Sequence, residues 1–134
     1  MKVKMHELKG VTDEVANALK THEVHESDKF LAAAGHPKER TALAAKLGIH
    51  EKEVLELANR ADLARIKGIG KVYADLLENA GVDTVIELRN RKPENLFQKL
   101  TEVGAEQGVK RLPRLEEVQD WVTQAKTLDR AVHH

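Results

Sequence analysis

The stretch Ile66-Lys67-Gly68-Ile69-Gly70-Lys71 decides how this chain reads. Two glycines one residue apart stand between two apolar-periodic segments. The first closes with Leu63 and Ile66, and the second runs through Val72, Tyr73, Leu76, Leu77 and Ala80. Both spacings are helical. Glycine supplies the backbone conformations that a tight corner between helices needs. The pattern is that of a helix-hairpin-helix turn. At the start of the second helix, free N–H groups and the positive end of the helix dipole make a site for a phosphate. The stretch points to nucleic-acid backbone rather than to catalysis. The competing reading is a corner in which glycine only lets two helices pack closely.

Composition narrows the rest. A chain of 134 residues is one domain or two small ones packed together. Aromatics are scarce (Phe30, Tyr73, Phe97, Trp121), so Leu, Val, Ile and Ala must fill the core. Abundant Ala, Leu, Glu and Lys favours an all-helical protein. The absence of cysteine excludes disulfides, thiolate–zinc sites and thiol catalysis, and suits the cytoplasm. No apolar run approaches the roughly 20 residues needed to span a bilayer. Residues 1–8 carry charge at Lys2, Lys4 and Glu7, unlike a signal peptide. Lys plus Arg equals Asp plus Glu at 22 each, and cutting after Ile66 leaves 11 of each sign on either side. A nucleic-acid domain usually carries a basic excess. Binding here must therefore come from a local cluster, and it should be weak and salt-sensitive.

Helix follows helix along the chain. Residues 12–22 place Val15, Ala16 and Leu19 on one face. Ser27 reads as the N-cap of a short helix ended by Gly35, and Pro37 as the first residue of a helix ended by Gly48. Residues 50–60 carry Val54, Leu55, Leu57 and Ala58 inward, with Ala61 following. After the hairpin helix, stopped by Gly81, Asp83 reads as the cap of a helix over 84–89. Pro93 and Pro113 each start a further helix. The last has acidic residues in its first turn and Lys126 near its end, with Leu115, Val118, Trp121, Val122, Ala125 and Leu128 as its apolar positions. That stripe closes the domain's own core on the ordinary reading; an exposed Trp121 would make it a partner surface.

The chain also reads as a degenerate duplication. Leu8-Lys9-Gly10-Val11-Thr12 aligns with Ile66-Lys67-Gly68-Ile69-Gly70 at an offset of 58, and Val15-Ala16, Leu19 and Val24 fall on Tyr73-Ala74, Leu77 and Val82. Thr12 replaces the second glycine. The expected organisation is a degenerate N-terminal half (1–60), a C-terminal half that keeps the phosphate-facing turn (61–130) and a tail (131–134). His133 and His134 fit either a native end or the remnant of a purification tag.

The run from Leu57 through Asn59-Arg60-Ala61-Asp62-Leu63-Ala64-Arg65 to Gly70 resembles a widespread bacterial family catalogued as a domain of unknown function and related to helix-hairpin-helix proteins. The resemblance continues through Tyr73-Ala74-Asp75-Leu76-Leu77 and Ala80-Gly81-Val82-Asp83-Thr84. It reaches Pro93-Glu94-Asn95-Leu96, Arg111-Leu112-Pro113 and Trp121-Val122-Thr123-Gln124. It implies a fold and leaves the role open, since fold alone does not fix function.

Other constellations read as structural. His22 and His25 are three apart with Glu23 between, not the four apart of a zincin helix, and His36 and His50 lack suitable carboxylate neighbours. No metal or cofactor is expected. Carboxylate pairs such as Glu116 and Glu117 suit a helix N-terminus better than acid–base chemistry. Ser27, the one serine, has no readable His–Asp frame, and Gly68-Ile69-Gly70-Lys71 is too short for a Walker loop or a dinucleotide fingerprint. Two further basic clusters, Arg89 with Arg91 and Lys92, and Lys110 with Arg111 and Arg114, read as solvated loop charge unless they share a face with the hairpin. The expectation is an all-α protein of about eight short helices, in two hairpin-containing halves packed as one unit. It is not an enzyme. It contacts duplex DNA backbone through Arg65, Lys67, Gly68, Ile69, Gly70 and Lys71. The alternative is a protein–protein interaction module.

Overall fold

The computed structural model describes residues 2–134. Among them are eight α-helices, a short 3-10 turn at Met5–Glu7 and one isolated β-bridge between Lys4 and Glu26. The protein is all-α, as its composition requires. The helices are α1 (Asp13–Thr21), α2 (Ser27–Ala34), α3 (Pro37–Leu47), α4 (Glu51–Leu63), α5 (Lys71–Asn79), α6 (Val85–Arg89), α7 (Pro93–Glu106) and α8 (Leu115–Ala125). Prolines open α3 and α7, where a missing N–H costs nothing.

Several boundaries differ from the sequence reading, each for a physical reason. Ser27 is the first residue of α2 rather than its cap. Its hydroxyl accepts from the Val3 N–H at 2.8 Å, and its own N–H donates to the Val3 carbonyl at 2.8 Å. The hydroxyl is thus spent on a distant segment rather than on capping its own helix. Asp83 does not cap α6; the Thr84 hydroxyl does, accepting from the Glu87 N–H at 3.3 Å. Helix α4 runs past Arg60 to Leu63, and α8 begins at Leu115, two residues beyond Pro113.

The packing falls into two four-helix sets with the same internal order. In the first, α2 and α3 pack on α4 and α1 packs on α3; in the second, α6 and α7 pack on α8 and α5 packs on α7. The buried positions Val54, Leu57, Ala58 and Ala61 of α4 match Val118, Trp121, Val122 and Ala125 of α8, each 64 residues further on. Each set has its own core. The two cores meet at the end of α4, where Ala61 and Ala64 serve the first and Leu63 the second.

Several links tie the sets together, among them direct packing of α4 on α5 and the Lys9–Asp75 ion pair at 3.1 Å. Arg60 of α4 lies 3.1 Å from Glu78 of α5, an ion pair in which no hydrogen bond is formed. The chain after α8 then returns to the first set. Val132 is buried in that core, and the His133 N–H donates to the Gly35 carbonyl at 2.8 Å. The buried Arg40 guanidinium donates to the carbonyls of Ala34, Gly35 and His133, at 2.6 to 3.1 Å.

Candidate nucleic-acid interface

The turn at residues 66–70 is built by three anchors. Ile66 and Ile69 are fully buried and pin it to the second core. Gly68 has φ +103°, and a Cβ there would lie 3.1 Å from Trp121 Nε1. Glycine is therefore required both by conformation and by the indole beneath. Trp121 is itself 2% exposed, so the α8 stripe closes the protein's own core. Gln124 clamps the turn from α8: its Oε1 accepts from the Lys67 N–H at 2.9 Å, and its Nε2 donates to the Lys67 carbonyl at 3.0 Å.

These anchors sort the six sequence-predicted residues. The Lys67 amide is taken by Gln124, and the Ile69 amide donates to the Ile66 carbonyl at 3.1 Å. Arg65 is engaged within the protein, donating to Asp62 Oδ1 at 2.7 Å and to the Asp129 carbonyl at 2.9 Å. Gly68, Gly70 and Lys71 remain with amides that have no hydrogen-bond partner among the described residues. Val72 and Tyr73 join them, because Gly70 is the N-cap and offers no side chain to the first turn of α5. The Lys67 and Lys71 side chains are exposed and enter no ion pair among the described residues. Among these helices α5 alone has neither a side-chain cap nor an acidic residue in its first turn. Its positive dipole end is not offset locally.

The two other basic clusters part company. Arg91 donates to the Gly81 carbonyl at 3.0 Å, which puts that cluster beyond the far end of α5. Arg111 lies beside the start of α5. Its backbone carbonyl accepts from the Tyr73 hydroxyl at 2.8 Å, and its guanidinium donates to the same hydroxyl at 2.8 Å and to Glu117 at 3.0 Å. The Glu117 carboxyl is held below its ordinary range, chiefly by the Arg114 backbone N–H and then by Arg111. Lys110 adjoins Arg111 on the rim of a depression that also touches Val72 and Tyr73.

Sequence reasoning missed two residues that build this site. Asp62 is 1% exposed, and its second oxygen accepts from the Val85 N–H at 2.9 Å, so one carboxylate joins the end of α4, the start of α6 and Arg65. A carboxylate one turn before Arg65 is the signal that could have found it. Gln124 carried no signal, since only the fold brings α8 to the turn. No group of three or more His, Asp or Glu that could hold a metal ion is found among the described residues.

A family model described as a domain of unknown function, DUF4332, matches residues 9–128. The chain belongs to that family. The match spans both turns and both four-helix sets. No curated protein and no solved structure matches the chain. No helix among the described residues is long and apolar enough to cross a membrane.

Proposed function

We propose that this DUF4332 protein is a non-enzymatic cytoplasmic module that grips a nucleic-acid backbone, duplex DNA first, through the start of α5. The turn acts as a helix-hairpin-helix turn in the second of two copies of one helical unit. The observation that carries this reading is the unshielded entrance to α5: open amides at Gly70, Lys71 and Val72, no first-turn carboxylate, and two exposed lysines at positions 67 and 71. Backbone N–H groups and lysines at a helix start suit a phosphate oxygen, and neither reads base identity. The binding set is narrower than the sequence suggested. Arg65 and Ile69 support the turn, and Lys67, Gly68, Gly70, Lys71 and Val72 face the phosphate.

Fluorescence anisotropy with random duplex DNA tests this. Two lysines neutralising about two phosphates give a log–log salt slope of about −1.8, or roughly twelvefold weaker binding for a fourfold rise in salt. Absence of binding at low salt would defeat the proposal and leave the protein–protein module, in which the turn is a corner, ahead.

A further inference from the structure

Two depressions, of about 430 and 550 Å³, flank Val72 on the outer face of α5 and share Val72, Gln107 and Val109 as their common rim. Val72 is 56% exposed, the one large apolar side chain so exposed among the described residues. A phosphate contact at the α5 start uses the Val72 amide and leaves this side chain without a role. The groove is held open by its own walls: the Tyr73–Arg111 hydrogen bonds fix the loop after α7 against α5. Its charge is one-sided. Lys9, Lys71, Lys110 and Arg111 line it against a single carboxylate, Asp75, which Lys9 already neutralises at 3.1 Å. Arg111 is spent on Glu117, which leaves Lys71 and Lys110 with no ion partner among the described residues.

We propose that this groove docks an acidic, amphipathic segment of a partner protein. Apolar side chains of the segment cover Val72 and Val109, and its carboxylates meet Lys71 and Lys110. A nucleic-acid backbone would match the lysines and waste the apolar rim; a neutral or basic segment would match the rim and leave the lysines unpaired.

The probe is a short fluorescein-labelled peptide alternating leucine and glutamate, with leucine–lysine and serine–glutamate peptides as controls. The leucine–glutamate peptide binds the full chain and both controls bind at least about tenfold more weakly. Val72→Ser, at an exposed site that does not threaten folding, weakens it about tenfold, in line with one valine's burial. Lys110→Glu weakens it further. Lys67→Glu leaves peptide affinity unchanged, because Lys67 lies outside the groove, while it lowers DNA affinity; the two readings therefore fail separately. Equal binding of the three peptides, or full affinity in Val72→Ser, overturns the inference. Loss of DNA affinity in Val72→Ser with peptide affinity intact overturns it in favour of a nucleic-acid surface.

Discussion

The turns at residues 8–12 and 66–70 begin alike and end differently. Both set a buried aliphatic residue, Leu8 or Ile66, before a glycine of positive φ, at +93° for Gly10 and +103° for Gly68. Both rest on the last helix of their own set, Gly10 near Leu57 and Arg60, Gly68 near Trp121, with Gln124 clamping Lys67. The helices that follow even stop alike: the Val24 N–H bonds the Leu19 carbonyl at 2.9 Å, and the Val82 N–H the Leu77 carbonyl at 2.8 Å. The divergence lies at the helix entrance. Thr12 caps α1 with its hydroxyl, Asp13 and Glu14 follow, and Lys9 is bound to Asp75. Gly70 caps nothing, no acid follows, and Lys67 is unpaired among the described residues. Similar frames thus carry a closed turn and an open one, and Thr12 against Gly70, with a few charges, separates them.

Breaking the scaffold should show where the halves rely on different chemistry. Asp62→Ala leaves the Val85 N–H and Arg65 without their carboxylate, and we expect a loss of about 3 kcal/mol in urea unfolding. The first half satisfies the matching Ser27 N–H with a backbone carbonyl, so Ser27→Ala removes only the hydroxyl bond and should cost about 1 kcal/mol. Similar losses from the two variants would contradict this difference.

The turns themselves come next. Gly68→Ala forces a side chain into left-handed backbone and against the indole, for about 2 kcal/mol. Gly10→Ala meets the far end of the flexible Arg60 side chain at 3.2 Å and should cost nearer 1 kcal/mol. Thermal unfolding of the pair checks the order. An equal loss would mean that Trp121 yields as easily as Arg60.

The smallest effect concerns the joint between the halves. Burial raises the pKa of Glu78, with Arg60 opposing and Asp83, Glu56 and Asp75 adding to it. A carboxyl whose folded pKa exceeds its unfolded value is stabilising while protonated and loses that contribution as pH rises through the folded pKa. Relative to Glu78→Gln, the wild type should therefore lose stability as pH rises above the ordinary carboxylate range, by a small shift in urea midpoint. A shift of opposite sign would mean that Arg60 dominates the site.

Much of the fold was legible because the apolar spacing is strong. Leu57, Ala58, Trp121 and Val122 face inward as their periodicity requires, and the prolines at 37 and 93 mark helix starts. What escaped was tertiary satisfaction of polar groups. Ser27 finds Val3, Asp62 finds Val85, Gln124 finds Lys67 and Arg40 finds His133, across separations that no local pattern encodes. The candidate site suffered for the same reason. Arg65 looks like a ligand in sequence because charge beside a glycine turn carries no record of the aspartate that engages it.

The contrast between open and closed turns is tested most directly by equivalent lysines. Anisotropy with random duplex DNA at low salt should compare the wild type with Lys67→Glu/Lys71→Glu and with Lys9→Glu, folding being verified by circular dichroism. Binding should fall by more than about tenfold in the second-turn variant. It should hold within about twofold in the first-turn variant, whose lysine already serves Asp75. Equal losses from both turns, or none from the second, would contradict the account.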